Sequence, residues 1–178
     1  MDGPVYLYDY MKEVVEAMKL KQKCFYQFGH PMEILENLTE MSSADSTKKL
    51  KYPIIAVLSD VEVKRDSANY YGKVNLTVLI ATKTDKALKA DAREKTNFKP
   101  ILLPLYYDFL EHLIKCGHFK INYDGNIPHN YIKRMYWGKN GIFITDSTLP
   151  APFNDFIDGI EINNLQLTIK NPTNEKTT

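Results

Sequence analysis

The sequence predicts an α+β fold: a mostly antiparallel β-sheet packed against two α-helices, in a single domain with long loops. Three observations predict it. Two segments repeat apolar residues at three-four spacing, which gives a helix one face to bury. Other segments alternate apolar and polar residues, or run apolar for five residues, as strands buried on one face or on both do. The order of these segments is helix, strand, strand hairpin, helix, strands, and neighbours in such an order pair antiparallel with helices laid on the sheet.

The first helix rests on Leu7, Met11, Val14 and Met18, with Lys12, Glu13, Glu16 and Lys19 on the other side. Pro4 is placed near its start, and the helix is expected to run for about four turns. Phe25-Tyr26-Gln27-Phe28 predicts a short strand ended by Gly29-His30-Pro31. Residues 39–51 are polar, small and without period, and predict a loop. Ile54 to Leu58 is a continuous apolar run after Tyr52-Pro53, the pattern of a strand covered on both faces. Val74, Leu76, Val78 and Ile80 alternate with more polar neighbours and give the next long strand. Between them VEVKRD and a turn around Ser67-Ala68-Asn69 predict a hairpin.

The charged stretch 82–99 predicts a short solvated helix, with Asp85 and Lys89 paired at i,i+4, or an exposed excursion. The second clear helix carries Leu102, Leu105, Phe109, Leu113 and Cys116 on one face. Pro104 is expected to fix its start and Gly117 its end. Phe119, Ile121 and Tyr123 alternate ahead of a turn signal at Asp124-Gly125-Asn126, and Tyr131 to Trp137 predicts another strand. Residues 138–157 read as a long loop. The last strand changes phase from Ile160 and Ile162 to Leu165, Leu167 and Ile169, which predicts a bulge at Asn163-Asn164. The domain is therefore expected to span 1–170, with a disordered polar tail over 171–178.

Composition narrows the function. The chain has 178 residues and a formal charge of +1, with 44% hydrophobic and 25% charged residues. That balance argues against whole-chain disorder and against a protein devoted to neutralising phosphates. Cys24 and Cys116 are too few for a disulfide framework, so a reducing compartment is expected. No apolar run reaches the ~20 residues of a membrane span, so no membrane partner is expected. Aromatic content is high, at 12% from 12 Tyr, 8 Phe and 1 Trp.

The search for chemistry assigns no catalytic, cofactor-binding or metal residue. The eight glycines stand apart, and no phosphate-binding loop occurs. Cys116 and His118, or Asp108 and His112, come nearest to a chelating pair, but a zinc site needs three or four ligands. Asp155 and Asp158 are expected to solvate a loop or form a turn rather than act as paired carboxylates. The protein is accordingly predicted to be no enzyme and to need no cofactor. Tyr131, Lys133, Arg134, Tyr136 and Trp137 combine basic and stacking residues, yet alternation splits the aromatics between two faces, which favours core and protein interface over a single-strand reader.

The order of elements, with several phrases, resembles a known group. These phrases are Phe28-Gly29-His30, Lys51-Tyr52-Pro53-Ile54-Ile55, the Val74 to Thr82 strand, Phe98-Lys99-Pro100-Ile101-Leu102 and Pro104-Leu105-Tyr106. Pro128-His129, Tyr136-Trp137-Gly138 and Asn154-Asp155 with Asp158-Gly159-Ile160-Glu161-Ile162 complete the set. Over residues 5–170 the chain resembles the neck and tail-completion proteins of tailed bacteriophages, the tail-terminator or head–tail connector ring subunits, of the kind found in phages of Bacteroidetes hosts. The resemblance implies a homo-oligomeric ring, six-fold or twelve-fold, that joins portal or head to tail within the virion. It implies neck, tail and portal proteins as partners, with DNA only in transit through the lumen. Loops 39–51, 83–97 and 138–157 are then candidates for contacts between subunits and at the lumen. The alternative is a nucleic-acid- or protein-binding module without catalysis. Tyr6, Tyr8, Tyr10, Tyr70, Tyr71, Tyr106, Tyr107, Tyr136, Phe153 and Phe156 fall at element ends and in loops, where tyrosine suits a surface covered by a neighbour.

Overall fold

The computed structural model describes residues 7–18, 24–43, 45–58, 62–65, 72–121, 125–138 and 155–170. Pro4, the turn at 67–69 and the tail 171–178 lie outside them, as does most of the loop 138–157. The fold is α+β. Six strands form one sheet: β1 (Phe25–Gly29), β2 (Ile54–Leu58), β3 (Glu62–Arg65), β4 (Gly72–Lys83), β5 (Asn130–Gly138) and β6 (Phe156–Ile169). Their order is β1-β2-β4-β6-β5, with β3 also on β4. Every pairing is antiparallel except β1 with β2. The expected hairpin forms, since β2 and β3 both pair with β4, at Val57↔Val78 and then at Glu62↔Asn75.

The two long strands β4 and β6 form the spine. Leu76 faces Leu165 and Val78 faces Ile162, so two residues of β6, Asn163 and Asn164, stand opposite Thr77 alone. Asn164 takes a φ of 57°, a left-handed conformation that Asn tolerates better than most side chains. Its side-chain oxygen accepts a hydrogen bond from Asn75 Nδ2 at 2.7 Å. The bulge lies where the phase change predicts it, and it returns Leu165, Leu167 and Ile169 to the face of Ile160 and Ile162.

That face carries the main core. Helix α1 (Leu7–Ala17) lays Leu7, Met11, Val14 and Val15 on it. A long helical segment lays Phe98, Leu102, Leu105, Phe109 and Leu113 beside them. This segment corrects the expected start at Pro104. It begins with one turn, α4 (Ala90–Arg93), widens into a π-helix over Glu94–Leu102, and continues as α5 (Leu103–Lys115). Pro100 sits inside the π-helix. A proline there has no N–H and crowds the carbonyl four residues back, and the wider turn accommodates it. Gly117, with φ 79°, ends the helix as expected.

The other sheet face holds a third helix that the two-helix expectation lacks. Helix α2 (Pro31–Glu40) packs Ile34 and Leu38 on Ile54, Ala56, Leu79, Ala81 and Ile157. His30 caps its start: Nδ1 accepts from Met32 N at 3.2 Å, while Glu33 Oε2 accepts from His30 N at 3.1 Å. A side chain on Gly29, which has φ +139°, would collide with that carboxylate. The expected loop 39–51 therefore contains the last turn of α2 and a further turn, α3 (Asp45–Lys48).

The stretch 82–99, expected as a short solvated helix or an exposed excursion, does carry the short helix α4 and many exposed residues. Arg93 and Asn97 nevertheless pin it to the sheet. Arg93 is buried, and its Nη1 donates to Asp158 Oδ1 at 2.9 Å and to Thr84 Oγ1 at 2.7 Å. Nη2 donates to the Asp85 carbonyl at 2.8 Å. Asn97, placed by the π-helix, donates to Asp158 Oδ2 at 2.6 Å and to Thr84 Oγ1 at 3.0 Å. Asp158 is 0% exposed. The Asp85 carboxylate accepts from Ala87 N at 2.8 Å, forming a turn instead of the expected pair with Lys89.

A buried charge is costly unless its partners are complete, so removing one partner costs more than removing both. Asp158→Asn is expected to lower the unfolding free energy by about 3–5 kcal/mol, read by urea denaturation. The double change Arg93→Met with Asp158→Leu should recover much of that loss. A single-variant cost below about 1 kcal/mol, the range of an exposed pair, would show that this network does not fasten the helix.

Candidate functional site

The residues singled out for chemistry are placed apart. Cys116 packs against the core, its thiol donating to the Leu113 carbonyl at 3.2 Å, and burial pushes its pKa up. Neighbouring His118 turns away: its ring stacks on Tyr10 at 3.9 Å, and Nε2 lies 2.7 Å from Glu13 Oε2. Asp108 and His112 do meet, with Nδ1 3.3 Å from Oδ1 and 2.8 Å from the Asp108 carbonyl. Among the described residues, no group of three or more His, Cys, Asp and Glu is arranged to hold a metal ion. Burial likewise pushes the Cys24 thiol pKa up.

Asp155 and Asp158 neither solvate a loop nor face each other. Alternation along the chain puts Asp158 on the main-core face, tied to Arg93. Asp155 belongs to the α2 side, where Oδ2 accepts from Lys51 Nζ at 2.6 Å and from the Tyr52 hydroxyl at 3.2 Å. Lys51 is 3% exposed and also donates to Ser42 Oγ at 2.6 Å. These networks escaped the sequence reading because each joins residues far apart in the chain. One signal was available: Asp158 is in phase with Ile160 and Ile162, and a carboxylate on a core face demands a cation.

The basic-aromatic stretch Tyr131 to Trp137 forms β5, but its cations are already engaged. Lys133 pairs with Glu94 and lies 4.5 Å above the Phe98 ring. Arg134 Nε donates to Glu161 Oε2 at 2.7 Å from the opposite face. Neither is presented to a nucleic-acid strand.

Exposed aromatic side chains stand beside both ends of the sheet order. Among the described residues no strand pairs with the outer edge of β1 or of β5. At the β1 edge Phe28 is 51% exposed and stacks on Tyr8 at 4.4 Å, while the Tyr26 hydroxyl donates to the Tyr8 carbonyl at 2.8 Å. At the β5 edge Tyr131 is 40% exposed, and Tyr107, on α5, is 65% exposed. Tyr106 lies between them, its ring 5.1 Å from each. Its hydroxyl is 2.6 Å from His129 Nε2, and His129 Nδ1 is 2.6 Å from the Ile127 carbonyl. A carbonyl only accepts, so in the neutral ring Nδ1 carries the proton and Nε2 accepts from Tyr106. The expectation that tyrosines gather at element ends thus divides. Tyr107 is uncovered, Tyr106 is buried, and Tyr8 and Tyr10 pack against the core. Tyr6, Tyr70, Tyr71 and Phe153 lie outside the described residues.

No protein-family model matches the chain, and no curated protein is significantly similar to it. No described helix is long and apolar enough to cross a membrane.

The buried phenols set an alkaline limit. Burial raises the Tyr52 pKa well above the ordinary phenol range, with the Asp155 carboxylate adding to it. Burial does the same to Tyr26, helped by Tyr8 and Asp9. The native state then holds these protons more tightly than the unfolded chain, so stability is full below the ordinary phenol pKa of about 10 and falls as pH rises beyond it. The urea midpoint is expected to drop from about pH 10 upward, and Tyr52→Phe should flatten that drop. An unchanged slope in the variant would show that Tyr52 is not the group responsible.

Proposed function

We propose that the protein is a structural subunit that assembles with copies of itself through the ends of its sheet, as a ring component of a phage neck or tail. The observation that carries this reading is that, among the described residues, no strand pairs with the outer edge of β1 or of β5, and exposed aromatic side chains flank both. An open edge presents unpaired backbone donors and acceptors, and a protein leaves it so where a neighbour covers it. Aromatic residues beside the edge supply the apolar contact that backbone pairing lacks. The two edges differ in length and flanking residues, so contact between them is head-to-tail, and head-to-tail contacts close into rings when the rotation allows. The resemblance to tail-terminator and connector subunits supports a closed ring, with neck, tail or portal proteins above and below it and DNA passing through. The absence of a converged set of reactive side chains among the described residues is compatible with this reading, without bearing on catalysis.

Sedimentation velocity across a wide concentration range and negative-stain images test it. The expected result is a concentration-dependent, ring-shaped oligomer. Tyr131→Lys and Phe28→Lys are each expected to weaken assembly by about 30-fold, the effect of losing an interface residue worth about 2 kcal/mol. Circular dichroism should show the monomer fold intact in both. A strictly monomeric protein at every concentration would overturn the reading.

A further inference from the structure

Helix α5 buries one stripe of residues and presents a second. Leu105, Phe109 and Leu113 enter the main core. Leu103, Tyr107, Leu110 and Ile114 follow one another at spacings of four, three and four, so they share a neighbouring flank of the helix. Tyr107 and Ile114 are exposed, and Leu103 and Leu110 are half-buried. The strip is about 16 Å long. Tyr106 lies between Tyr107 and Tyr131 of β5, which places the strip on the flank of α5 beside the β5 edge. Apolar residues three and four apart form the seam by which one helix packs on another, and contact with a strand edge alone has no use for it.

The topology says which helix fits. Strands β1, β2 and β6 point one way, and β4 and β5 point the other. Edge strands of two copies run side by side in a closed ring only when the ring axis lies along the strands. Rotation about such an axis keeps strand direction, and it keeps the same sheet face turned the same way in every copy. In a ring closed through the sheet ends, β1 of the next copy is therefore antiparallel to β5, and its α1 stands on the same face as α5. Helix α1 packs on that face over β1 and β2. Its Tyr10 and Glu13 turn to His118, just past the end of α5 in the same chain. Tyr8, Lys12 and Glu16 recur every four residues along the opposite flank, and Tyr8 stacks on Phe28 of β1. This second flank is the one that a sheet continued past β5 brings to the seam. Lys12 with Glu16, and Glu111 with Lys115, edge the two surfaces with both signs of charge, so the surfaces do not repel.

We infer that, in the self-assembly on which this contact rests, α1 of one copy lays its Tyr8, Lys12 and Glu16 flank along the Leu103, Tyr107, Leu110 and Ile114 strip of the copy beside it. The pairing of β1 with β5 fixes the register of the two copies. The helix contact supplies the buried apolar area that backbone pairing lacks.

The test uses the full chain with one added cysteine, Lys12→Cys or Tyr107→Cys, each alone and the two mixed, treated with a short bismaleimide. The wild type, which carries Cys24 and Cys116, is the control. The expected result is a covalent dimer in the mixture, above the level given by either variant alone or by the wild type. Ile114→Glu, a change on α5 rather than on an edge strand, is expected to weaken assembly by about tenfold in sedimentation velocity, with the circular dichroism spectrum unchanged. Tyr107→Cys alone giving as much dimer as the mixture would reveal a two-fold helix contact and overturn the inference. Oligomers that form without the mixed cross-link, or that Ile114→Glu leaves at wild-type strength, would overturn the helix contact while assembly through the sheet ends stands. A chain that is monomeric at every concentration would overturn both.

Discussion

The architecture depends on keeping one face of β6 apolar from Ile160 to Ile169. Its partner β4 runs alongside for all but the ends, and the two share a single core face. A strand's side chains alternate strictly, so the apolar residues at 160 and 162 and those at 165, 167 and 169 would fall on opposite faces of an unbroken strand. The extra residue at Asn163-Asn164 restores the phase, and the left-handed Asn164 bends the strand at that point. Without it, either the upper or the lower half of β6 would turn its leucines and isoleucines to solvent. The helices α1 and α5 have one continuous apolar surface to cover only because the bulge is there.

The same alternation decides where charge is buried. Asp158 keeps the phase of the core residues and so enters the protein, where Arg93 and Asn97 satisfy both its oxygens. Asp155 keeps the opposite phase and meets Lys51 on the far side. Two ion pairs thus stand back to back at one end of the sheet, a buried one fastening the π-helix and a half-buried one fastening the chain after α2. These polar connections fix that end of the sheet in a single arrangement.

Whatever burial dictates locally could be read from the sequence. The runs at 54–58 and 74–80, the strand at 131–137 and the bulge follow from periods of two, and α1 follows from the three-four spacing of Leu7, Met11 and Val14. Helix α2 was hidden because only Ile34 and Leu38 mark its buried face, and its cap is a histidine rather than a serine or aspartate. The burial of Arg93 within the charged stretch 82–99 is not visible in the sequence, where charges are counted one at a time. Arg93 meets Asp158 across 65 positions, and only the fold brings them together. The order of the described strands belongs to topology alone, because no residue pattern says which strand ends up outermost.

A formal charge of +1 conceals this internal division. On β5 the cations are consumed by Glu94 and Glu161, so the edge strand presents aromatic and backbone groups rather than charge. On the lower outer face the lysines stand among amides and hydroxyls. A surface made for a protein neighbour needs its charges neutralised before it is desolvated, whereas a surface made for phosphates needs them exposed. Balanced composition therefore says little about where charge is exposed; strand register and burial decide it.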